Sequence, residues 1–490
     1  MKRRAALALL ALCTLLRIVS LFRPCLSDDE ATYAVVGREM LHGQVLYRDV
    51  VDHKPPAIYA TNEVAQALGG QLVLHLLLIV VVWATGLLLA RIVRRHGDPR
   101  AAIFAAVLWS VFSTTLVDVD ALAANCELFM MLPLVASVVV FRDDRPLLAG
   151  VLVGVAALYK YQAGIQLPLY AGAWIWKYRS RSIPGLIAIG VGFAIPIALA
   201  ALWLARAGGL DAALFWFKFN FGYIDAGSSK SEMIVRALVR GGFAIGAALL
   251  LYVSGAIAVA RRRWSFDVAW LAASVAAVLV GGRFFGHYFH QVTAPLAVLA
   301  APIAMSLWEK RRALLIAGCA IPACAFLVLG AIHDQMMRWA GEPDPDYGQV
   351  VAWLDAHSTR ADSLCIWGNS PVLYFEADRP LGCRFVFANY LTGLSPATAT
   401  QSDPNVDSSA NIVPEAWDML EHDLADRRPR WMIDASPGDV GHYGKYAPDR
   451  FARLARVLAC DYRPVADVIG MRIFERLSSS RCPAITRQPM

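Results

Sequence analysis

Apolar and polar positions along this chain fall into long blocks rather than short alternations. Apolar runs occupy 5–22, 72–90, 101–117, 127–141, 146–158, 163–176, 185–205, 242–260, 266–281, 291–308 and 313–332. A helix needs about 20 residues to cross the hydrocarbon core of a bilayer, so these blocks predict about 11 transmembrane helices. The runs at 146–158 and 163–176 are short and meet at "YKYQ". From about Gly341 the blocks give way to charged residues, prolines and short segments. The pattern predicts a polytopic α-helical membrane domain over 1–335 and a soluble domain over 336–490, large enough for one hydrophobic core.

In the C-terminal part, "DYGQVVAWLDAHS" has Val350, Trp353 and Leu354 at helical spacing. "DSLCIWG" reads as a buried strand and "SPVLYFEA" as a helix, and the polar stretch 392–411 reads as a loop. "EAWDMLEHDLADRRP" is helical, "RWMIDAS" a strand and "DRFARLARVLA" a helix. "RPVADVIGMRIFER" predicts a terminal hairpin turning near Gly470. Alternating helices and strands imply a small α/β domain. The turn "GNSP" is no nucleotide fingerprint, and neither GxGxxG nor GxxxxGK[ST] is present. This domain reads as accessory, binding the acceptor or capping the site.

Composition supports the membrane reading. Of 490 residues, 57% are hydrophobic and 17% charged, which leaves too little polar surface for a soluble chain. The net charge of +7 does not indicate nucleic acid, because Arg and Lys cluster in short loops. "MKRR", "RIVRRHGDPR", "RDDR", "KYRSRS", "RRR" and "EKRR" fall at every second connection, and the positive-inside rule puts them in the cytoplasm. "MKRRAALALLALCTLL" is like a signal peptide without a small-residue cleavage site, so it reads as a retained first helix. The N-terminus is then cytoplasmic. The other loops and the C-terminal domain are extracytoplasmic: 23–71, "VDVDALAANCE", "YKYQ", 206–241 and "GGRFFGHYFHQ".

Nine cysteines show no CxxC or Cys/His metal spacing. Cys13, Cys319 and Cys324 lie in apolar runs and read as inert core residues. Cys365, Cys383, Cys460 and Cys482 fall in the soluble part, where an extracytoplasmic location permits disulfides whose connectivity the sequence leaves open.

The chemistry concentrates in loop 23–71. "DEATYAVVGREML" has apolar residues at helical spacing and predicts a helix along the membrane surface, ended by Gly43. "AIYATNEVAQALGG" predicts a second short helix. "DDE" at 28–30 suits a helix N-terminus on electrostatic grounds alone. Yet "DHKPP" lies in the same loop, so Asp28, Asp29, Glu30, Asp52, His53 and Lys54 converge if the intervening helix folds back. A carboxylate there can take a proton from an attacking hydroxyl, and a Lys or Arg can hold a leaving phosphate. Carboxylates can also hold a divalent metal for the same work.

The later loops add Tyr159, Lys160, Tyr161 and Gln162, then Arg283, His287, Tyr288, His290 and Gln291. The aromatics fit an interfacial belt, whereas cations on the external face run against the positive-inside bias. "VDVDALAANCE" contributes Asp118, Asp120, Asn125 and Glu127, the last at the start of a span.

The stretch "DEATYAVVGREMLHGQVLYRDVVDHKPPAIY" resembles the first external loop of the GT-C membrane glycosyltransferases. The nearest group holds the dolichyl-phosphate-mannose protein mannosyltransferases, the aminoarabinose lipid A transferases and RgtA/B/C/D-like bacterial relatives. "ANCELFMMLP", "LYKYQAG", "RFFGHYFHQVTAPLAVLA" and "IWGNSPVLYFEADRPLGCRFVF" also fit that group, so the resemblance runs over nearly the whole chain. It implies a polyprenyl-phosphate sugar donor used at the extracytoplasmic face of a bacterial inner membrane. The family's "DE" falls on Asp29 and Glu30; Asp29 is the implied general base, with Asp28 as an extra neighbour. The Lys before the prolines falls on Lys54, implied to contact the donor phosphate, and Lys160 and Arg283 are implied as further phosphate partners. Lipid A relatives carry Glu before that Lys. Here the position is His53, preceded by Asp52, a departure that counts against carrying over metal binding or the lipid A acceptor.

The reading is therefore an inverting hexosyl- or pentosyltransferase acting on a hydroxyl of an envelope glycan, lipid or protein. No cofactor is assigned, and a divalent metal stays open. Two rivals remain. A transporter or flippase of lipid-linked sugar would place charges near the bilayer midplane, whereas the spans are nearly free of charge apart from Arg17, read as snorkelling. A membrane-anchored binding protein would keep its ligand site in the C-terminal domain alone.

Overall fold

The structure, a computed structural model, describes residues 3–482 except 24, 97, 116–120, 226–228, 262–264, 340–344 and 397. Asp118 and Asp120 lie outside the described residues. By contact, the chain forms two compact units. One comprises Met1–Glu30, Lys54–Leu210 and Ser229–Glu342; the other comprises Ala31–His53, Asp211–Ser228 and Pro343–Met490.

The first helices are α1 (Arg3–Leu16), α2 (Asp28–Leu41), α3 (Ala57–Leu68), α4 (Gln71–His96), α5 (Ala102–Phe112), α6 (Cys126–Arg142) and α7 (Pro146–Ala157). They continue as α8 (Gln166–Tyr178), α9 (Ile183–Ala207), α10 (Leu210–Asp225), α11 (Lys230–Ala247), α12 (Leu249–Arg261), α13 (Phe266–Val280) and α14 (His290–Ala331). Among the described residues, three helical stretches are long and apolar enough to cross a membrane: Gln71–Arg95, Ile183–Ala207 and Gly286–Ala331. Shorter apolar helices cover Pro99–Phe112, Pro146–Ala157 and Phe266–Val280.

Two expected spans differ in form. The run 242–260 is not one straight helix: α11 and α12 meet at a 95° bend. The runs 291–308 and 313–332 join in α14, whose helical geometry breaks at Arg311 (φ −147°, ψ 52°), within the basic turn "EKRR". On α9, Ile183, Ile187 and Leu199 are each at least 60% exposed, the surface of a helix that meets lipid.

Within the first unit, α7 and α9 approach closely through small residues. Gly150 and Gly154 form a GxxxG pair on α7; a Cβ on Gly150 would sit 2.2 Å from the Ile189 carbonyl oxygen, and one on Gly154 2.6 Å from that of Phe193. From the other side, a Cβ on Gly192 would meet the Leu147 carbonyl oxygen at 2.1 Å. Backbones this close are how membrane helices associate where lipid removes the hydrophobic drive. Arg17 does not snorkel. It is 1% exposed, and its guanidinium donates to the Leu122 and Ala121 carbonyls at 3.2 and 3.1 Å. Those carbonyls supply the hydrogen bonds that a buried charge requires.

In the second unit a four-stranded sheet has order β1-β2-β4-β3, with β1 (Leu364–Trp367), β2 (Trp431–Asp434), β3 (Tyr462–Val468) and β4 (Met471–Arg476). β1 and β2 are parallel and buried at every position, and the other neighbouring pairs are antiparallel. Ile469 and Gly470, both at positive φ, turn the β3–β4 hairpin. Helices Tyr347–His357, Pro371–Ala377, Pro414–Asp426 and Ala452–Asp461 fall where the sequence predicts them. The stretch 392–411 is not pure loop: it holds a short helix at Ala399–Ser402 and a 3-10 turn at Ser409–Asn411. Disulfides join Cys365 to Cys383 and Cys460 to Cys482.

The same unit holds Ala31–His53, the middle of the first long loop. The Val51 N–H donates to the Arg384 carbonyl at 2.8 Å, Arg427 donates to the Asp49 carbonyl at 2.8 Å, and Arg38 pairs with Asp378 at 3.1 Å. Ala31, Tyr33, Ala34, Val35, Val36 and Met40 of α2 are all buried. Apart from Leu41, which is 45% exposed, the apolar residues of α2 are thus covered by protein rather than laid along a membrane surface as expected.

Candidate active site

The start of α2 sorts the three acids by exposure. The Ser27 hydroxyl accepts the Glu30 N–H at 3.2 Å, and Glu30 Oε2 accepts the Leu26 N–H at 3.0 Å, so Ser and Glu three apart cap the helix. Successive helical residues rotate by about 100°, so Asp28 is exposed, Asp29 is 41% exposed and Glu30 is fully buried. Lys54 precedes two prolines, the first of which disfavours helical backbone at Lys54. Its N–H donates to the Tyr59 hydroxyl at 3.2 Å, and its Nζ comes within 3.8 Å of Asp29 Oδ2. The first loop does fold back, as the residues "DDE" and "DHKPP" predict, at least for Asp29 and Lys54.

A second carboxylate lies in the same unit. Glu127, in the first turn of α6 and 1% exposed, pairs with Lys160 Nζ at 2.6 Å and with His287 Nε2 at 3.7 Å. Lys160 also stands over the Tyr288 ring, 4.5 Å from its centroid. Burial alone would depress the Lys160 ammonium. Burial is the largest single influence, yet the Glu127 carboxylate, together with Tyr288 and Cys126, holds the ammonium above its ordinary value, against a smaller opposing push from Lys54. That mutual influence links the Asp29–Lys54 and Glu127–Lys160 pairs electrostatically. One backbone and one side-chain bond assemble the connection: the Ala57 N–H donates to the Leu158 carbonyl at 2.9 Å, and the Thr61 and Tyr159 hydroxyls bond at 2.9 Å.

Arg283 is 1% exposed, and its carbonyl accepts from Arg240 at 2.8 Å. Asp52 and His53 belong to the second unit. There His53 Nδ1 stands 2.9 Å from Asp52 Oδ1 and 3.0 Å from the Tyr390 hydroxyl. Among the described residues, no group of three or more His, Cys, Asp or Glu side chains could hold a metal ion.

Sequence reasoning missed His75. It lies in α4, 1% exposed, with Nε2 2.8 Å from Glu30 Oε1. The available signal was a single histidine in an otherwise apolar run. Intramembrane ionisable residues are costly and are kept for a reason; here the partner is Glu30, which is thereby turned away from solvent.

No protein-family model and no curated protein matches this sequence. Solved structures do share its fold. One is ArnT from Cupriavidus metallidurans bound to undecaprenyl phosphate, with TM-score 0.63 and 15% identity over 99% of this chain and 100% of that chain. Another is the Archaeoglobus fulgidus oligosaccharyltransferase in complex with Zn and sulfate, with TM-score 0.52 and 14% identity over 96% of this chain and 73% of that chain. The Archaeoglobus fulgidus oligosaccharyltransferase AglB with an inhibitory peptide and a dolichol-phosphate gives TM-score 0.50 and 14% identity over 99% and 75%. These are GT-C glycosyltransferases, and the chain has the GT-C fold.

Proposed function

We propose that this protein transfers a sugar from a polyprenyl-phosphate donor to a hydroxyl acceptor at the extracytoplasmic face of a bacterial inner membrane. The observation that carries the proposal is the apposition of half-exposed Asp29 and Lys54 on a GT-C fold. The undecaprenyl phosphate bound by ArnT and the dolichol-phosphate bound by AglB support a lipid phosphate as the group that leaves. Asp29 accepts the proton of the acceptor hydroxyl as its oxygen attacks the anomeric carbon. The bond from that carbon to the phosphate oxygen breaks, and Lys54 takes up the charge released on the polyprenyl phosphate. Attack opposite the leaving group inverts the anomeric configuration. Glu127, Lys160, His287, Tyr288 and Arg283 line the donor side, with the Glu127–Lys160 pair fixing its shape. About 11 spans would put the soluble domain outside, a reading that the two disulfides support, since such bonds persist in oxidising compartments. A transporter of lipid-linked sugar is not favoured, because the fold is shared with transferases.

The test is reconstitution. Purified protein in liposomes, given a panel of undecaprenyl-phosphate sugars and envelope glycolipid acceptors, should release undecaprenyl phosphate and form a product of inverted anomeric configuration. Donor moved intact across the bilayer, with no glycosidic product, would contradict it.

A further inference from the structure

A pocket opens at the opposite end of the same helices. It has a volume of about 560 Å³ and is lined by Leu88, Arg91, Arg95, Val139, Asp143 and Arg145, among others. Such a volume is in the range of small-ligand sites. Arg91 and Arg95 are near the C-terminal end of α4, whereas His75, which holds Glu30, is near its N-terminal end; at 1.5 Å rise per helical residue they lie about 24 and about 30 Å from it along the axis. Asp143 closes α6 at the end remote from Glu127, and Arg145 precedes α7 at the end remote from Lys160. The pocket is thus a bilayer thickness from the candidate active site.

Its charge is unbalanced. Arg91 and Arg95 both reach the single Asp143 carboxylate, Arg91 at 3.3 Å, and Arg145 has no carboxylate partner among the described residues. Three guanidiniums thus face one carboxylate. The Arg91 Nε is buried without a hydrogen-bond partner. The rest of the lining, Leu88, Ala136, Val139 and Val140, is apolar. Guanidinium forks above an apolar wall suit a phosphodiester whose own tail is apolar. Basic pockets between membrane helices take such headgroups.

We propose that this pocket binds the headgroup of an anionic phospholipid from the leaflet opposite the candidate active site, with Arg91, Arg95 and Arg145 holding its phosphate. The site is independent of the donor site and does not require that reading to hold.

The full chain, purified in detergent, is heated with phosphatidylglycerol, with an equal mole fraction of phosphatidylcholine, or with inorganic phosphate. Bound lipid is counted in parallel by native mass spectrometry. Phosphatidylglycerol should raise the melting temperature and remain bound, and the other two should not. Arg91→Gln with Arg95→Gln should weaken retention by about tenfold or more, the loss expected for charge-assisted contacts. Arg145→Gln leaves the Asp143 pairs intact and should also weaken it, so it decides the matter if the double variant does not fold. Equal retention by Arg145→Gln and the parent chain, equal stabilisation by phosphatidylcholine, or the same shift from inorganic phosphate would overturn the proposal.

Discussion

Lys54 Nζ stands 3.8 Å from Asp29 Oδ2, bringing together the two ends of a loop whose middle belongs to another compact unit. That separation exceeds a hydrogen bond, so neither group is consumed by the other. The Glu127–Lys160 pair, at 2.6 Å, is closed. In the proposed mechanism the two pairs do different work: Asp29 and Lys54, in the looser pair, part to take the acceptor hydroxyl and the donor phosphate, and the tighter pair shapes the wall behind them.

In the proposed mechanism Lys54→Ala removes a charge-assisted contact to the donor phosphate. Transfer should fall by tenfold or more, as expected for the loss of about 1.5–3 kcal/mol. The loss should appear in donor kinetics and leave acceptor KM near its original value. Steady-state assays with either substrate varied check this, and unchanged donor kcat and KM would remove Lys54 from the site.

Glu127→Gln leaves the mostly buried Lys160 ammonium without its carboxylate. Breaking one side of a buried pair costs about 3–5 kcal/mol. The variant should melt well below the parent chain, and Glu127→Gln combined with Lys160→Met should recover part of that loss. A double-mutant cycle on melting temperature measures the coupling, and additive effects would show that the pair contributes nothing as a pair.

Glu30 is read in the sequence as a catalytic partner of Asp29, but it is fully buried and faces His75. Its expected role is to hold the start of α2. Glu30→Gln and His75→Ala should each lower kcat by disturbing Asp29, with donor KM little changed. Measuring both constants for the two variants tests this. If Glu30→Gln equals Asp29→Asn in effect while His75→Ala is silent, Glu30 acts directly on substrate.

The cysteines report the location of the soluble domain. Cys365, Cys383, Cys460 and Cys482 should resist alkylation in protein taken from cells and become reactive after reduction. Each bond should contribute about 2–4 kcal/mol by restricting the unfolded chain. Free thiols at all four positions in freshly lysed cells would place the domain in a reducing compartment.

Much of this was legible because membrane segments and short loop motifs are local signals. The runs at 72–90 and 185–205 locate α4 and α9 to within a few residues. "DDE" and "DHKPP" identify the two ends that meet at Asp29 and Lys54. Other features depend on distant partners. Arg17 reads as snorkelling because nothing local reveals the carbonyls of Ala121 and Leu122. Nothing local reveals that His53, a site candidate beside Lys54, bonds to Tyr390, far along the chain. The bend between α11 and α12 is likewise invisible in hydropathy, which sees only one apolar run.

The most direct measurement is single-turnover transfer by Asp29→Asn in liposomes, with polyprenyl-phosphate sugar saturating. Losing a general base costs about 10²–10⁴ in rate. The account predicts a fall of that size with donor binding and melting temperature retained. Parent-level turnover by correctly inserted Asp29→Asn would contradict it.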